Sequence, residues 1–507
     1  MEPTARGCSA FSIRAQQGPT PLETVDPVRL GAIGHGMMGR MSVDPASVRA
    51  ALADAVPDVY WTDRPDRPTP RPTLTGSGHR ADLVVVGGGF TGLWAAILAK
   101  EDDPSRDVVL LERGRFGVAA SGRNGGFVSP SLTHGLAQGI ACWPDEVPTL
   151  ERLGAENFAA LAAAVERYGI EADLHVPGEI TMALDEHQLD AVTEGYELHR
   201  AHGVPVTYLD EAAARARVDS PRYLAGFVDP TVGLVDPGRL VWGLADAAER
   251  LGVRLHEDTA VTAFDEESSG LTVRTEWGSV RADRVVLGTG AFRGPLRRLA
   301  HYTLPVYDHV LMSEPLSAEQ LSALGWEGRE GLTDAGNQFH YYRRTLDDRV
   351  LFGGFDANYH FPGRIDPRLE QSESHDLLAR HFFEIFPQLE GLRFTHRWAG
   401  VIDTTSRFTP VFGTAFGGRL AYAVGYTGLG VASTRFGARA ALDLIDHRDT
   451  EVTRLGMVRR KPLPFPPEPL RYLGVRATRA SLAAEDRTGK RNLWLRGLDA
   501  VGIGFDS

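Results

Sequence analysis

Two stretches carry glycines at the spacing of a dinucleotide-binding turn, and the chemistry open to the chain depends on which of them is one. In VVVGGGFTG, Val84–Gly92, the motif positions are Gly87, Gly89 and Gly92; in IGHGMMGR, Ile33–Arg40, they are Gly34, Gly36 and Gly39. Such a turn aims free backbone N–H groups and the positive end of a helix at a pyrophosphate, while a carboxylate about 20 residues further on accepts the ribose hydroxyls. Glu112 ends the run DVVLLE at that distance from Gly92. An acid there disfavours a 2′-phosphate, so FAD or NAD fits better than NADP. Two working turns would let the chain carry a flavin and a nicotinamide together; one turn means the electrons come from another donor.

The elements around each motif decide between them. ADLVVV is a continuous apolar, β-branched run of the kind that forms a central parallel strand, and LWAAILAKE continues as a good helix former. The earlier match has the weak strand VDPVRLGAI before it, and Pro45 falls where the second helical turn should be. No β-run ending in an acid follows it at the right distance. The second turn is therefore read as the nucleotide site and residues 33–40 as part of a flexible tail before the folded chain.

The totals limit the rest. A chain of 507 residues has room for two or more domains, and 56 glycines are more than usual, which calls for many tight backbone turns. A net charge of −12 argues against nucleic acid as a partner. Two cysteines, Cys8 and Cys142, build neither a disulfide framework nor a zinc site, and a reducing cytoplasm suits them best. Leu83–Ala99 lacks charge but holds four glycines and is too short for a bilayer span, and no secretory signal is seen.

After Glu112 the sequence RGRFGVAASGRNGGFVSP lets the backbone approach a long cofactor closely, and Arg113 and Arg123 are placed to balance a pyrophosphate. With this segment the chain resembles the D-amino-acid-oxidase-like (DAO) superfamily of FAD-dependent amine oxidoreductases, in particular the branch with γ-glutamylputrescine oxidase and glycine oxidase. The resemblance runs from about Tyr60 to Asp446. It is also carried by GLVDPGRLVWGLADAAERLGVRLHEDTAVTAF, VRADRVVLGTGAF, HYYRRTLDDRVLFGG, RWAGVIDTTSRFTPVFG and AYAVGYTGLGVASTRFGARAALDLI.

The resemblance implies an α/β fold: a Rossmann-like, glutathione-reductase-type FAD-binding domain (59–142, 223–301 and 398–455) with an inserted α+β substrate-binding domain (143–222 and 302–397). Residues 1–58 are expected to form a largely disordered extension and 456–507 a basic tail that docks on its own body or a neighbouring subunit rather than on a membrane. It also implies cofactor contacts at Ser121, Arg123, Asn124, Gly125 and Gly126, at Val261 beside the adenine, at Gly288 and Gly290, at Gly400 in the re-entry strand, and at Gly425, Gly428, Leu429 and Gly430. The helix after Gly430 would present its positive end to reduced flavin. Some relatives attach flavin through a cysteine in that turn or a histidine in the Ser-Gly-rich segment; Leu429 and the pair Arg123-Asn124 stand here, so the FAD is expected to be non-covalent.

The implied reaction moves hydride from the carbon beside an amine nitrogen to flavin and leaves an imine for water to split, with oxygen or another acceptor taking the electrons. The family's acid-binding side chains come from the neighbourhood of HYYRR, which makes Arg343 the candidate clamp for a substrate carboxylate, with His340 and Tyr341 beside it. Alternation along a strand sends Arg343 and Arg344 to opposite faces, and the pair could equally be salt-bridged to Asp347 and Asp348. His309 reads as a core histidine and Trp398 as packing under the domain junction. An NAD(P)H-fed flavin monooxygenase or reductase, and a flavoprotein without catalysis, are the alternative readings. Which amine, and which oligomeric state, the residues leave open.

Overall fold

The apolar runs become the central strands of a parallel sheet. The computed structural model describes residues 43–500. Strands Gly278–Leu287, Gly76–Val86 and Val108–Leu111 lie side by side, with Val85 paired to Leu110 and to Val286. Leu420–Val424 extends the sheet on one side, followed by the antiparallel Val411–Ala415, and Arg254–His256 closes the other. Alternation divides the buried residues: Leu83, Val85 and Leu110 face helices Phe90–Asp102, Pro237–Arg250 and Gly430–Ile445, whereas Val84, Val86 and Val109 face the meander Val261–Glu267, Gly270–Thr275. All the parallel strands end at one edge, so the segments beginning at Gly87, Glu112, Gly288 and Gly425 emerge together, where open α/β sheets bind ligands.

A second sheet runs in the order Phe394–Thr404, Leu304–Ser313, Val350–Gly354, His340–Arg344, Gly331–Asp334, Glu179–Ala183, Ala225–Asp229, Thr207–Asp210. It is antiparallel except between Gly331–Asp334 and Glu179–Ala183. Helix Ser374–Ile385 covers one face through Leu378, Phe382 and Phe383. The α/β class with a second sheet domain inserted in the first is thus present.

Several expected boundaries change. Residues 43–58 are not disordered: helix Pro45–Leu52 starts with Asp44 accepting from the Ala46 N–H, places Pro45 at its first turn, and buries Val48, Ala51 and Leu52 in the second sheet's core. Proline here starts a helix rather than breaking one. The glycine cluster at 33–40 lies outside the described residues. Helix Val147–Arg167, expected in the substrate domain, packs on the first core through Leu150, Leu161 and Ala164. The tail forms a one-turn helix, Gly456–Arg459, and two longer ones, Leu470–Thr488 and Leu493–Ala500, docked on the protein's own body. Among the described residues no helix is long and apolar enough to cross a membrane.

Candidate active site

A cavity of about 1120 Å³ lies between the C-terminal edge of the first sheet and the face of the second. Gly87 and Gly89 form its floor at the start of helix Phe90–Asp102. Gly92 sits behind them and is needed for the corner: a Cβ there would stand 1.8 Å from the Gly87 carbonyl oxygen. The Gly87 backbone turns with φ of 104°, a conformation that glycine adopts without strain. The Glu112 carboxylate accepts from the Gly88 N–H at 2.6 Å and the Gly114 N–H at 2.8 Å, which fixes it at the strand end with lone pairs left for hydroxyl donors. Burial raises its pKa.

The Ser-Gly-rich segment arches over this corner. Ser121 accepts from the Phe90 N–H at 2.9 Å, and Asn124 folds the next turn by accepting from the Gly126 N–H. Gly125, Gly126, Val261, Gly288, Gly290, Gly400, Gly428, Leu429 and Gly430 all line the cavity. Gly425 does not; it stands one layer back with its N–H donating to Asp403 at 2.5 Å, and so sets the turn that leads to Gly428. Helix Gly430–Ile445 has no side-chain cap, so its first N–H groups point at the cavity unsatisfied by a cap. Thr91 and Tyr426 hydroxyls lie 3.1 Å apart and tie the two glycine corners together.

The two arginines differ from expectation in one case. Arg113 lines the cavity stacked on Phe292. Arg123 also lines it, but its guanidinium is engaged by Glu370 at 2.6 Å and the Ala399 carbonyl at 2.8 Å. Its charge is therefore already neutralised by a carboxylate, and it fastens the arch to the re-entry strand instead of balancing a pyrophosphate.

Of the three substrate candidates, one reaches the cavity. Arg343 is 1% exposed, and its guanidinium donates to the Val235 carbonyl at 2.6 Å and lies over Trp61. It shares Tyr341's face but is held beneath Gly126, where a Cβ would stand 2.5 Å from its Nη1. Burial lowers its pKa to about 10. His340 points to the other side of the sheet, bonded to Asp334 at 2.6 Å and stacked on Phe355. The clamp reading of Arg343 and the pocket position of His340 do not hold. Arg344 turns towards Asp348, His309 is buried against His375, and Trp398 is buried with its indole N–H on the Arg123 carbonyl.

Tyr341 does line the cavity, and two glycines make room for it. A Cβ at Gly125 or at Gly353 would each come within 2.6 Å of its ring, so the ring fits only between these glycines at the seam of the two domains. From there its hydroxyl donates to Asp308 at 2.5 Å. Asp308 faces Gly400 across the strand pair, and burial pushes its pKa up to about 6 even though the Tyr341 hydroxyl holds it down. Glu179, further along the same wall and pushed up to about 7 by burial, is a second carboxyl. His134, lowered to about 4 by burial, is neutral. Asp308 was legible in VYDHVLMSE as the acid on the face shared by Val306 and Val310, a signal that the neighbouring His309 obscured.

These residues fit an ADP-containing cofactor: glycine corners that a Cβ would fill, an anchored acid at the second strand end, and an uncapped helix start on the cavity wall. Among the described residues no group of three or more metal-ligating side chains is gathered.

Comparison with known proteins agrees with this geometry. The family DAO, FAD dependent oxidoreductase, matches residues 82–444. Gamma-glutamylputrescine oxidoreductase of Escherichia coli K12 is 31% identical over 392 residues, covering 76% of this chain and 88% of the relative. Glycine oxidase of Geobacillus kaustophilus is 26% identical over 380 residues, covering 73% and 94%. The crystal structure of that glycine oxidase superposes with a TM-score of 0.61 over 74% of this chain and 96% of its own, at 24% identity.

Proposed function

We propose, from the premise that the chain belongs to the DAO family of FAD-dependent oxidoreductases, that it oxidises a C–N bond in a small amine whose nitrogen is received by Asp308. The observation that carries this reading is the Asp308–Tyr341 pair, set by two glycines on the wall of the cavity that the nucleotide corner also lines. When bound, FAD supplies the hydride acceptor. The Gly87–Gly92 corner with Glu112 would hold its ADP half, and the uncapped helix start at Gly430 would favour negative charge at the other end. Leu429 in the second turn supports non-covalent attachment.

The chain's own groups prepare the amine. An ammonium arriving in the cavity is drawn to the Asp308 carboxylate, which Tyr341 fixes in place. Burying two charges costs several kcal/mol per ion, so in a desolvated cavity the neutral pair, amine plus carboxylic acid, comes closer in free energy to the ion pair than it does in water. Asp308 Oδ then takes the proton, and the nitrogen lone pair is free to assist loss of hydride from the neighbouring carbon. The resulting imine is hydrolysed to a carbonyl compound and an amine or ammonia. Positioning and exclusion of water do the remaining work. Oxygen is proposed as the electron acceptor, giving hydrogen peroxide, and the two cysteines in 507 residues support a reducing cytoplasm as the compartment.

The test is peroxide release in air from a panel of polyamines, γ-glutamylated amines, N-methyl amino acids, D-amino acids and aminophosphonates. One class yielding peroxide and carbonyl product in equal amounts supports the reading; none yielding either overturns it.

A further inference from the structure

Asp308 shares its face of the second sheet with another carboxyl, and strand register places it there. Tyr341 pairs with Gly353 on one side and with Thr333 on the other, and Thr333 pairs with Thr181. Glu179 comes two residues before Thr181, and Asp308 two residues before Val310, the partner of Gly353. Both acids therefore point to the face that carries Tyr341, and both line the cavity.

The wall between them is aromatic. The Phe127 ring fills the space over Gly331, where a Cβ would stand 2.3 Å from it, and meets the Tyr341 ring edge-on with centroids 5.9 Å apart. Gly331 stands across from Glu179, and the Tyr341 hydroxyl reaches Asp308. Glu179, Phe127, Tyr341 and Asp308 thus follow one another along the cavity.

Each acid calls for a cation. The Thr333 hydroxyl donates to Glu179 but brings no charge, and Asp229, across from Glu179 on the neighbouring strand, adds to the negative potential there. Burial penalises the charge on both carboxyls, and an ammonium beside each relieves that cost. A ligand carboxylate is served less well. Arg343, two residues from Tyr341, and Arg123, beside Gly400, are already held by the Val235 carbonyl and by Glu370.

The spacing sets the length of the ligand. Four strand steps of about 4.8 Å and a four-residue offset of about 13 Å put the two Cα atoms about 23 Å apart, and the side chains close this to roughly 15 Å between carboxyls. With an ammonium about 3 Å from each, the two nitrogens are bridged by about six to nine methylenes.

We propose that the cavity receives a linear polyamine: one ammonium at Asp308, where oxidation takes place, the distal one at Glu179, and the chain between them across Tyr341 and Phe127. This rests on the amine-oxidation reading above.

The test uses the full-length holoenzyme, with peroxide release measured for α,ω-diamines from diaminobutane to diaminodecane and for n-alkylamines of the same lengths. Diamines with about six to nine methylenes should exceed the equal-length monoamine in kcat/KM by ~10–10²-fold, and diaminobutane should show no such advantage. Glu179→Gln keeps the shape and the Thr333 contact; it should erase the advantage by raising the diamine KM ~10–10²-fold, with kcat within about twofold. Amino-octanol removes the distal charge without any substitution in the protein, and its kcat/KM should fall to that of octylamine. Equal kcat/KM for diamines and monoamines at every length, an advantage that survives in Glu179→Gln, or amino-octanol matching diamino-octane overturns the inference. Turnover of another amine class with no diamine advantage defeats this inference alone, whereas no turnover of any amine defeats the reading it rests on.

Discussion

Replacing Asp308 by asparagine separates a chemical role from a structural one. Burial raises the Asp308 pKa from 3.8 to about 6, a shift worth roughly 3 kcal/mol against the charged form before a cation arrives. An ammonium beside it offsets that cost. Asparagine keeps the shape and still accepts from Tyr341, but it neither attracts a cation nor takes its proton. Losing a charge-assisted bond of about 1.5–3 kcal/mol together with a proton acceptor, which contributes ~10²–10⁴-fold, should lower kcat/KM by at least about 10²-fold. Wild-type kcat/KM should rise with pH through about 6 as Asp308 ionises in the free enzyme; in Asp308→Asn that limb should vanish. Stability should move the other way. The folded pKa lies above the unfolded one, so the carboxyl favours the fold most fully below the unfolded value, and that contribution is lost as pH rises through about 6. At pH 7.5 the asparagine protein should therefore melt no lower than wild type in a thermal-shift assay. Unchanged kcat/KM with the same acid limb would refute the role of Asp308; a lower melting point with lost flavin would show that the residue acts through folding.

Other substitutions test the neighbouring claims. Tyr341→Phe removes a hydrogen bond that lowers the Asp308 pKa, so the acid limb of kcat/KM should shift to higher pH, and an unmoved limb would disconnect the pair. Gly92→Ala drives a Cβ onto the Gly87 carbonyl; overpacking of this kind costs about 1–3 kcal/mol, and the protein should purify with FAD occupancy well below wild type in its visible spectrum. Arg343→Ala leaves the Val235 carbonyl without its donor in the core and should cost ~3 kcal/mol in denaturant unfolding. The ratio of kcat/KM between acidic and neutral substrates should not change, and a selective loss of acidic substrates would reinstate Arg343 as a clamp.

What could be read from the chain followed from local rules. The DLVVV run, its glycine corner and the acid at Glu112 lie within one strand–helix–strand unit, so spacing alone placed them, and Gly288 and Gly430 follow their own strands in the same way. The second domain was harder, because its wall is made by pairing strands distant in sequence. Nothing near HYYRR says that Gly125 will meet Tyr341, or that the Tyr341 hydroxyl will lean over Gly353 to Asp308. Alternation rightly put Arg343 and Arg344 on opposite faces but could not show that Arg343's face would be filled by Trp61 and the Val235 carbonyl. The C-terminal helix was legible as amphipathic; its docking depends on the loop residues Asn337 and Asp356, which carry no pattern of their own.

The most direct measurement is the visible spectrum of the purified protein mixed without oxygen with an amine that it turns over. The account predicts a yellow protein, with FAD released by denaturation, whose flavin band is bleached by the amine and not by NADPH, and returns with formation of peroxide when air is admitted. A colourless protein that takes up no FAD, or a flavin that NADPH reduces and no amine does, would contradict it.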